Sequence, residues 1–179
     1  ERAGYPVVAK LVAPGVVHKA DVGGIVLDLQ DAAAVREAFA RMVGDHADRA
    51  LMVQKMVPQG QEVILGMQRD PQFGPLLMFG MGGIYVEVFK DVAFRLAPLA
   101  AQDAQDMILE TAAGKIMQGV RGQTPGDMAV VVETLQRVGQ LVSDLPCISE
   151  MDINPLIVAP AGAGAWAVDV RMALDQRPE

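Results

Sequence analysis

The sequence predicts an α+β fold, with groups of antiparallel strands separated by helices rather than one doubly wound parallel sheet. Three observations carry that prediction. Apolar stretches come in pairs joined by tight turns, such as Pro58-Gln59-Gly60 and Asp70-Pro71-Gln72-Phe73-Gly74-Pro75. Helical periodicity appears only between those groups. It is clearest over 127–145, where Met128, Val131, Val132, Leu135, Val138, Leu141, Val142 and Leu145 form one stripe. The chain then closes on a further hairpin.

Taken in order, residues 5–12 read as a strand and 13–24 as a loop. Residues 25–29 alternate apolar and polar, as a half-buried strand does. Asp31 caps a helix whose apolar face is Val35, Ala38, Phe39 and Met42. Strands follow at 51–57, 62–68 and 76–79. After Gly80-Met81-Gly82-Gly83, residues 84–89 and 92–96 read as a hairpin, and 101–113 as one helix. In the last hairpin Ile153, Leu156, Ile157 and Val158 form one strand. Residues 159–164 turn the chain, and Trp166, Val168 and Val170 begin the return.

Composition narrows the function. Hydrophobic residues make up 51%, enough for a core, but only 4% are aromatic, so that core is aliphatic and rich in the eleven methionines. A net charge of -7, from 15 basic and 22 acidic residues, opposes general nucleic-acid binding. One cysteine excludes a disulfide framework and fits a reducing cytoplasm. Two histidines and one cysteine make a zinc site a poor reading. No apolar stretch reaches membrane-spanning length. The chain opens at Glu1 and enters a strand almost at once, which predicts a piece of a longer polypeptide truncated at its N-terminal side.

The most chemical feature is the last hairpin. Its strands place Asn154 beside Asp169, one amide oxygen with one carboxylate. Mg²⁺ on nucleotide phosphates takes hard oxygen ligands of this kind, with phosphate and water completing its shell. Lys10 stands near the exit of the first strand, before a loop holding Gly15, His18, Lys19, Asp21, Gly23 and Gly24. Two readings are open for it: a phosphate ligand beside a glycine-rich loop, or a surface lysine burying only its stem. Gln54-Lys55-Met56-Val57 and Glu62 could line a base and ribose pocket, or face solvent on an ordinary sheet. Cys147 has an apolar context and no nearby histidine, so it reads as an inert thiol.

These segments occur in a recognisable order. Gly4-Tyr5-Pro6-Val7-Val8-Ala9-Lys10, His18-Lys19-Ala20-Asp21-Val22-Gly23-Gly24, Glu62-Val63-Ile64-Leu65-Gly66-Met67, Phe79-Gly80-Met81-Gly82-Gly83-Ile84 and Asp152-Ile153-Asn154-Pro155-Leu156 run through the chain. Together they resemble the ATP-grasp domain of the nucleoside-diphosphate-forming (ADP-forming) acyl-CoA synthetases, relatives of succinyl-CoA synthetase. The resemblance implies an ATP-grasp fold of two lobes, with about residues 1–50 as the remainder of the first and 51–179 as the second.

It also implies that Lys10 contacts ATP phosphates, and that Val17, His18 and Lys19 belong to a phosphate-covering loop. Gln54, Val57 and Glu62 would line adenine and ribose, and Asn154 and Asp169 would hold Mg²⁺. Asp152 would sit near a visiting phosphohistidine, and His18 would relay phosphate. Gln54 stands where the succinyl-CoA enzyme has Glu, and Asp152 replaces its Glu.

The implied reaction joins a carboxylic acid to CoA at the expense of ATP, through an acyl phosphate and a phosphohistidine. The CoA-binding and ligase domains would lie on the same protein or a partner subunit, oligomeric when full length, with no nucleic acid or membrane involved. The rival reading is a regulatory, catalytically silent module of the kind fused to protein acetyltransferases. The presence of Lys10, His18, Asp152, Asn154 and Asp169 together favours a working nucleotide site.

Overall fold

A computed structural model of the chain describes residues 4–16, 19, 22–82, 91–120 and 122–175. They fall into two compact units, Glu1–Pro58 and Gln59–Glu179.

In the first unit, β1 (Val7–Val12) is flanked by β2 (Ile25–Leu29) and β3 (Ala50–Lys55), both antiparallel to it. Helix α1 (Ala32–Met42) packs on one face of this sheet. Its N-terminus is capped by Asp31, whose carboxylate accepts from the Ala34 N–H at 2.8 Å. Val7, Ala9 and Leu11 alternate along β1 and meet Leu29, Ala38, Met42 and Val43 in a small core. Phe39, expected on the inward face of α1, is instead 47% exposed, so Ala38 and Met42 carry the contact.

The units divide after Pro58 rather than near residue 50. The cause is pairing: β3 runs beside β1 from Val7↔Lys55 to Val12↔Ala50, so its hydrogen bonds are made inside the first unit.

The second unit is a six-stranded sheet. Its strands are β4 (Gln61–Asp70), β5 (Gly74–Met81), β6 (Val92–Leu96), β7 (Ile148–Val158), β8 (Ala165–Ala167) and β9 (Val170–Leu174). The order is β6-β5-β4-β7-β8, with β9 also paired to β7. The β4–β5 turn is fixed by Asp70, whose carboxylate accepts from the Gln72 and Phe73 N–H groups at 2.8 and 2.9 Å. Of the hairpin expected over 84–96, residues 84–89 lie outside the described residues. β6 itself pairs with β5, from Gly80↔Val92 to Leu76↔Leu96.

Among the described residues, three helices cover one face of this sheet: α2 (Ala101–Glu110), α3 (Ala112–Met117) and α4 (Met128–Asp144). Val63, Leu65 and Met67 of β4 and Leu77 and Phe79 of β5 point toward them. Met151, Ile153, Leu156 and Val158 of β7 do the same, meeting Met107, Ile108, Met117, Val131, Leu135 and Val142. Each large side chain buried this fully contributes about 1.5–3 kcal/mol. At the sheet edge the Arg95 guanidinium pairs with Glu110 on α2, holding that carboxylate below its usual range. Arg69 ties the far end, donating to the carbonyls of Val142 at 2.6 Å and Ile148 at 3.1 Å.

The single helix expected over 101–113 is two. Thr111 is extended (φ -92°, ψ 158°), its hydroxyl donates to the Ile108 carbonyl at 2.8 Å, and it accepts from the Gly114 N–H at 3.1 Å. The apolar spacing runs on through this corner, so periodicity alone does not reveal it.

Asp127 caps α4 and does more. One carboxylate oxygen accepts from the Val130 N–H at 3.3 Å; the other accepts from the Gly162 and Gly164 N–H groups, both at 3.0 Å. The side chain therefore fastens the β7–β8 turn to the start of α4, and it is only 9% exposed. Asp127→Ala removes a cap and two charge-assisted bonds, so unfolding by urea should show a loss of about 3 kcal/mol. A loss below about 1 kcal/mol would show that water replaces these bonds.

Candidate functional site

Lys10 and Gln54 in one sheet, and Glu62, Asp152 and Asn154 in the other, lie on the face away from the described helices. In the first unit Val7, Ala9 and Leu11 face α1, which puts Val8 and Lys10 on the opposite side. Gln54 pairs with Val8 and Met52 with Lys10, so these four share that open face. Lys10 lies within β1, not at its exit, between Ile25 and Met52, and is 4% exposed. That burial rules out the surface-lysine reading, in which the ammonium stays in water. A lysine this buried needs compensating charge or hydrogen bonding.

Lys19 is half-buried, and its carbonyl accepts from the Gly24 N–H at 2.7 Å, closing the end of the loop. Val57 is half-buried, just past β3. Val17 and His18 lie outside the described residues, as do Asp21 and Gly83.

In the second unit the final hairpin brings Asn154 and Asp169 together. The Asn154 N–H donates to the Asp169 carbonyl at 3.0 Å, and the Val168 N–H donates to the Pro155 carbonyl at 3.2 Å. The hairpin is less regular than its sequence implies. β7 starts earlier, at Ile148, and the returning strand is broken into β8 and β9 around Val168 and Asp169.

Pro155 explains the break, because it has no N–H to give to either neighbour. On the β4 side Ile153 pairs with Leu65 and Leu156 with Val63, so β7 holds one extra residue there, a β-bulge. The bulge shifts the alternation: Met151 and Ile153 face the core before it, Leu156 and Val158 after it. Asp152 and Asn154 fall on the open face.

Glu62 shares that face, with Ile64, Gly66 and Gln68 of β4. Gly66 pairs with Asp152, so Glu62 stands roughly 13 Å further along the strand. The Glu62 carbonyl accepts from the Gly82 N–H at 3.0 Å. A Cβ on Gly82 would lie 2.9 Å from the Glu62 carbonyl carbon, so only glycine permits that approach. The sequence leaves Gly80-Met81-Gly82-Gly83 open between a close-approach loop and a turn, and marks Asp127 only as the start of a helix. The signal for Asp127, an acidic cap facing a glycine turn, becomes visible only when the turn is folded back.

Asn154 and Asp169 suit Mg²⁺ in one specific way. Among the described residues no group of three or more His, Cys, Asp or Glu could hold a metal ion. A carboxylate and an amide oxygen alone leave most of an octahedral shell to phosphate and water, which is how Mg²⁺ travels with nucleotides. Also among the described residues, no helix is long and apolar enough to cross a membrane.

A family model for the ATP-grasp domain matches residues 1–174. The chain is 45% identical to the acetate–CoA ligase (ADP-forming) I of Archaeoglobus fulgidus, over 98% of this chain but 26% of that protein. It is also 45% identical to the beta subunit of acetate–CoA ligase (ADP-forming) I from Pyrococcus furiosus, over 96% of this chain and 76% of the subunit. Thus it spans about a quarter of one relative and three quarters of the other.

Among solved structures, it resembles the dinucleotide-forming acetyl-coenzyme A synthetase 1 of Ca. Korarchaeum cryptofilum in complex with coenzyme A and Mg-AMPPCP. There the phosphohistidine segment points towards the nucleotide-binding site. The TM-score is 0.84 at 45% identity, over 96% of this chain and 78% of that one. With its two antiparallel sheets and helix-covered faces, and with a match over nearly its whole length, the chain belongs to the ATP-grasp domain family.

Proposed function

We propose that this chain is the ATP- and Mg²⁺-binding portion of an ADP-forming acyl-CoA synthetase, an acid–thiol ligase. The observation that carries the reading is the backbone pairing of Asn154 with Asp169, one row from Asp152 on the open face of a sheet that also bears Glu62. Lys10, on the open face of the other sheet, supplies the buried cation that phosphates need.

In the complete enzyme, a carboxylic acid, ATP and CoA would become acyl-CoA, ADP and phosphate. This chain handles the ATP end. Mg²⁺, held by Asn154 and Asp169, would neutralise phosphate oxygens as charge builds on them. Lys10 would offset the remaining charge and keep the phosphate chain aligned for in-line transfer, so positioning and electrostatics do most of the work.

Gln54 and Val57 would border the base, and Glu62 would accept from a ribose hydroxyl. Val17, His18 and Lys19 would cover the phosphates, with His18 relaying the phosphoryl group. Asp152 would face the phosphohistidine of a segment that also meets the CoA-binding and ligase domains, on the same protein or a partner subunit. Such an enzyme would work in the cytoplasm as an oligomer, beside its CoA and acid pools.

The test is a panel of carboxylic acids offered with ATP and CoA to the complete enzyme, following ADP. ADP release should require both an acid and CoA. No acid-dependent release across the panel would refute the ligase reading.

A further inference from the structure

The open face of the six-stranded sheet has an unbalanced charge. Its described residues include Glu62, Glu150, Asp152 and Asp169, four carboxylates on a surface proposed to meet a polyphosphate. The other arginines of the sheet lie toward its helix side. Arg69 donates to backbone carbonyls beside α4, and Arg95 pairs with Glu110. Among the described residues of the sheet, the single Lys or Arg on the open face is Arg171.

The ladder sets its position. Arg171 pairs directly with Asp152 across β7 and β9, while Asn154 meets Asp169 in the next position of the same hairpin. These four residues form two rows on one face, with Arg171 about 7 Å along the strand from Asp169. Arg171 is half-buried, whereas its strand neighbours Val170 and Met172 are 44% and 49% exposed. A guanidinium carries five donors in a planar fork, enough to meet a carboxylate and a phosphate at once.

We propose that Arg171 is a phosphate-binding residue of the metal end, contacting non-bridging oxygens of a metal-bound nucleoside triphosphate. This rests on the nucleotide reading above. Its signature is a pair of opposite effects. A cation two residues from Asp169 opposes a bare metal ion yet favours the metal–triphosphate complex, whose net charge is negative.

The experiment titrates the complete enzyme and its Arg171→Met variant with Mn²⁺, in place of Mg²⁺, by electron paramagnetic resonance, with and without ATP. Arg171→Met should bind Mn²⁺ alone about twofold to fivefold more tightly. It should bind Mn-ATP about tenfold more weakly. Arg171→Lys keeps the charge but loses the fork, so Mn-ATP should weaken about threefold with Mn²⁺ alone unchanged.

Weakening of both by Arg171→Met, or unchanged Mn-ATP affinity, overturns the proposal. If Arg171→Met does not fold, wild-type Mn-ATP affinity in Arg171→Lys overturns it instead. A complete wild-type enzyme that binds neither Mn²⁺ nor Mn-ATP refutes the nucleotide reading itself, a separate and distinguishable failure.

Discussion

Replacing Asp169 with alanine in the complete enzyme should cut Mg²⁺-ATP-dependent phosphorylation about 1000-fold or more, on the order of 4 kcal/mol of transition-state stabilisation. The fold should survive. The bond that holds the pair together runs from the Asn154 N–H to the Asp169 carbonyl, so both atoms are main-chain and remain after substitution. Asp169→Asn keeps the shape and removes the charge, and should lose nearly as much. Lys10→Ala should fall in the same range, and Lys10→Met, which fills the volume of the buried stem, separates charge from packing. Rapid-quench measurement of phosphoenzyme beside a melting curve decides the matter. Unchanged phosphorylation in the Asp169 or Lys10 variants would sink the assignment of the phosphate end.

Gly114→Ala should destabilise the second unit by about 3 kcal/mol or more, roughly 6–12 °C in Tm. Helix propensity alone predicts the opposite, because alanine is favoured over glycine in a helix by about 1 kcal/mol. Packing wins here. A Cβ at Gly114 would lie 2.0 Å from the Ile108 carbonyl oxygen and 2.6 Å from its carbon. Those atoms cannot retreat: Ile108 is fully buried, and its carbonyl already accepts from the Thr111 hydroxyl and backbone N–H. A variant as stable as wild type would show that the α2–α3 corner yields, and that Thr111 does not hold it.

Much of the fold was legible before any coordinates. Strand and helix periodicity, the Asp31 cap and the turn residues locate most elements, because each is a local preference written into adjacent residues. What misled was also local. The stripe of α2 continues through Thr111 into α3, and only the tertiary corner at Gly114 shows why the helix stops. Phe39 obeys helical spacing yet stands exposed, while Ala38 and Met42 of the same helix are buried.

The candidate site divides in the same way. By itself the sequence determined the residue types and their order: a strand lysine, a glycine loop, a carboxylate at the head of β4, and an Asp-x-Asn-Pro opposite an Asp-x-Arg. Those depend on chain position alone, and they suffice to place the chain in its family. Only the tertiary structure decided that Lys10 is buried and that Asn154 touches Asp169. It also decided that Asp152 and Asn154 face away from the core while the bulge at Pro155 returns Leu156 and Val158 to it, and that Asp127 pins the turn behind them. The physical reason is that burial, register and bulge parity arise from residues far apart in sequence. A single extra residue in one strand inverts which side chains a sheet presents.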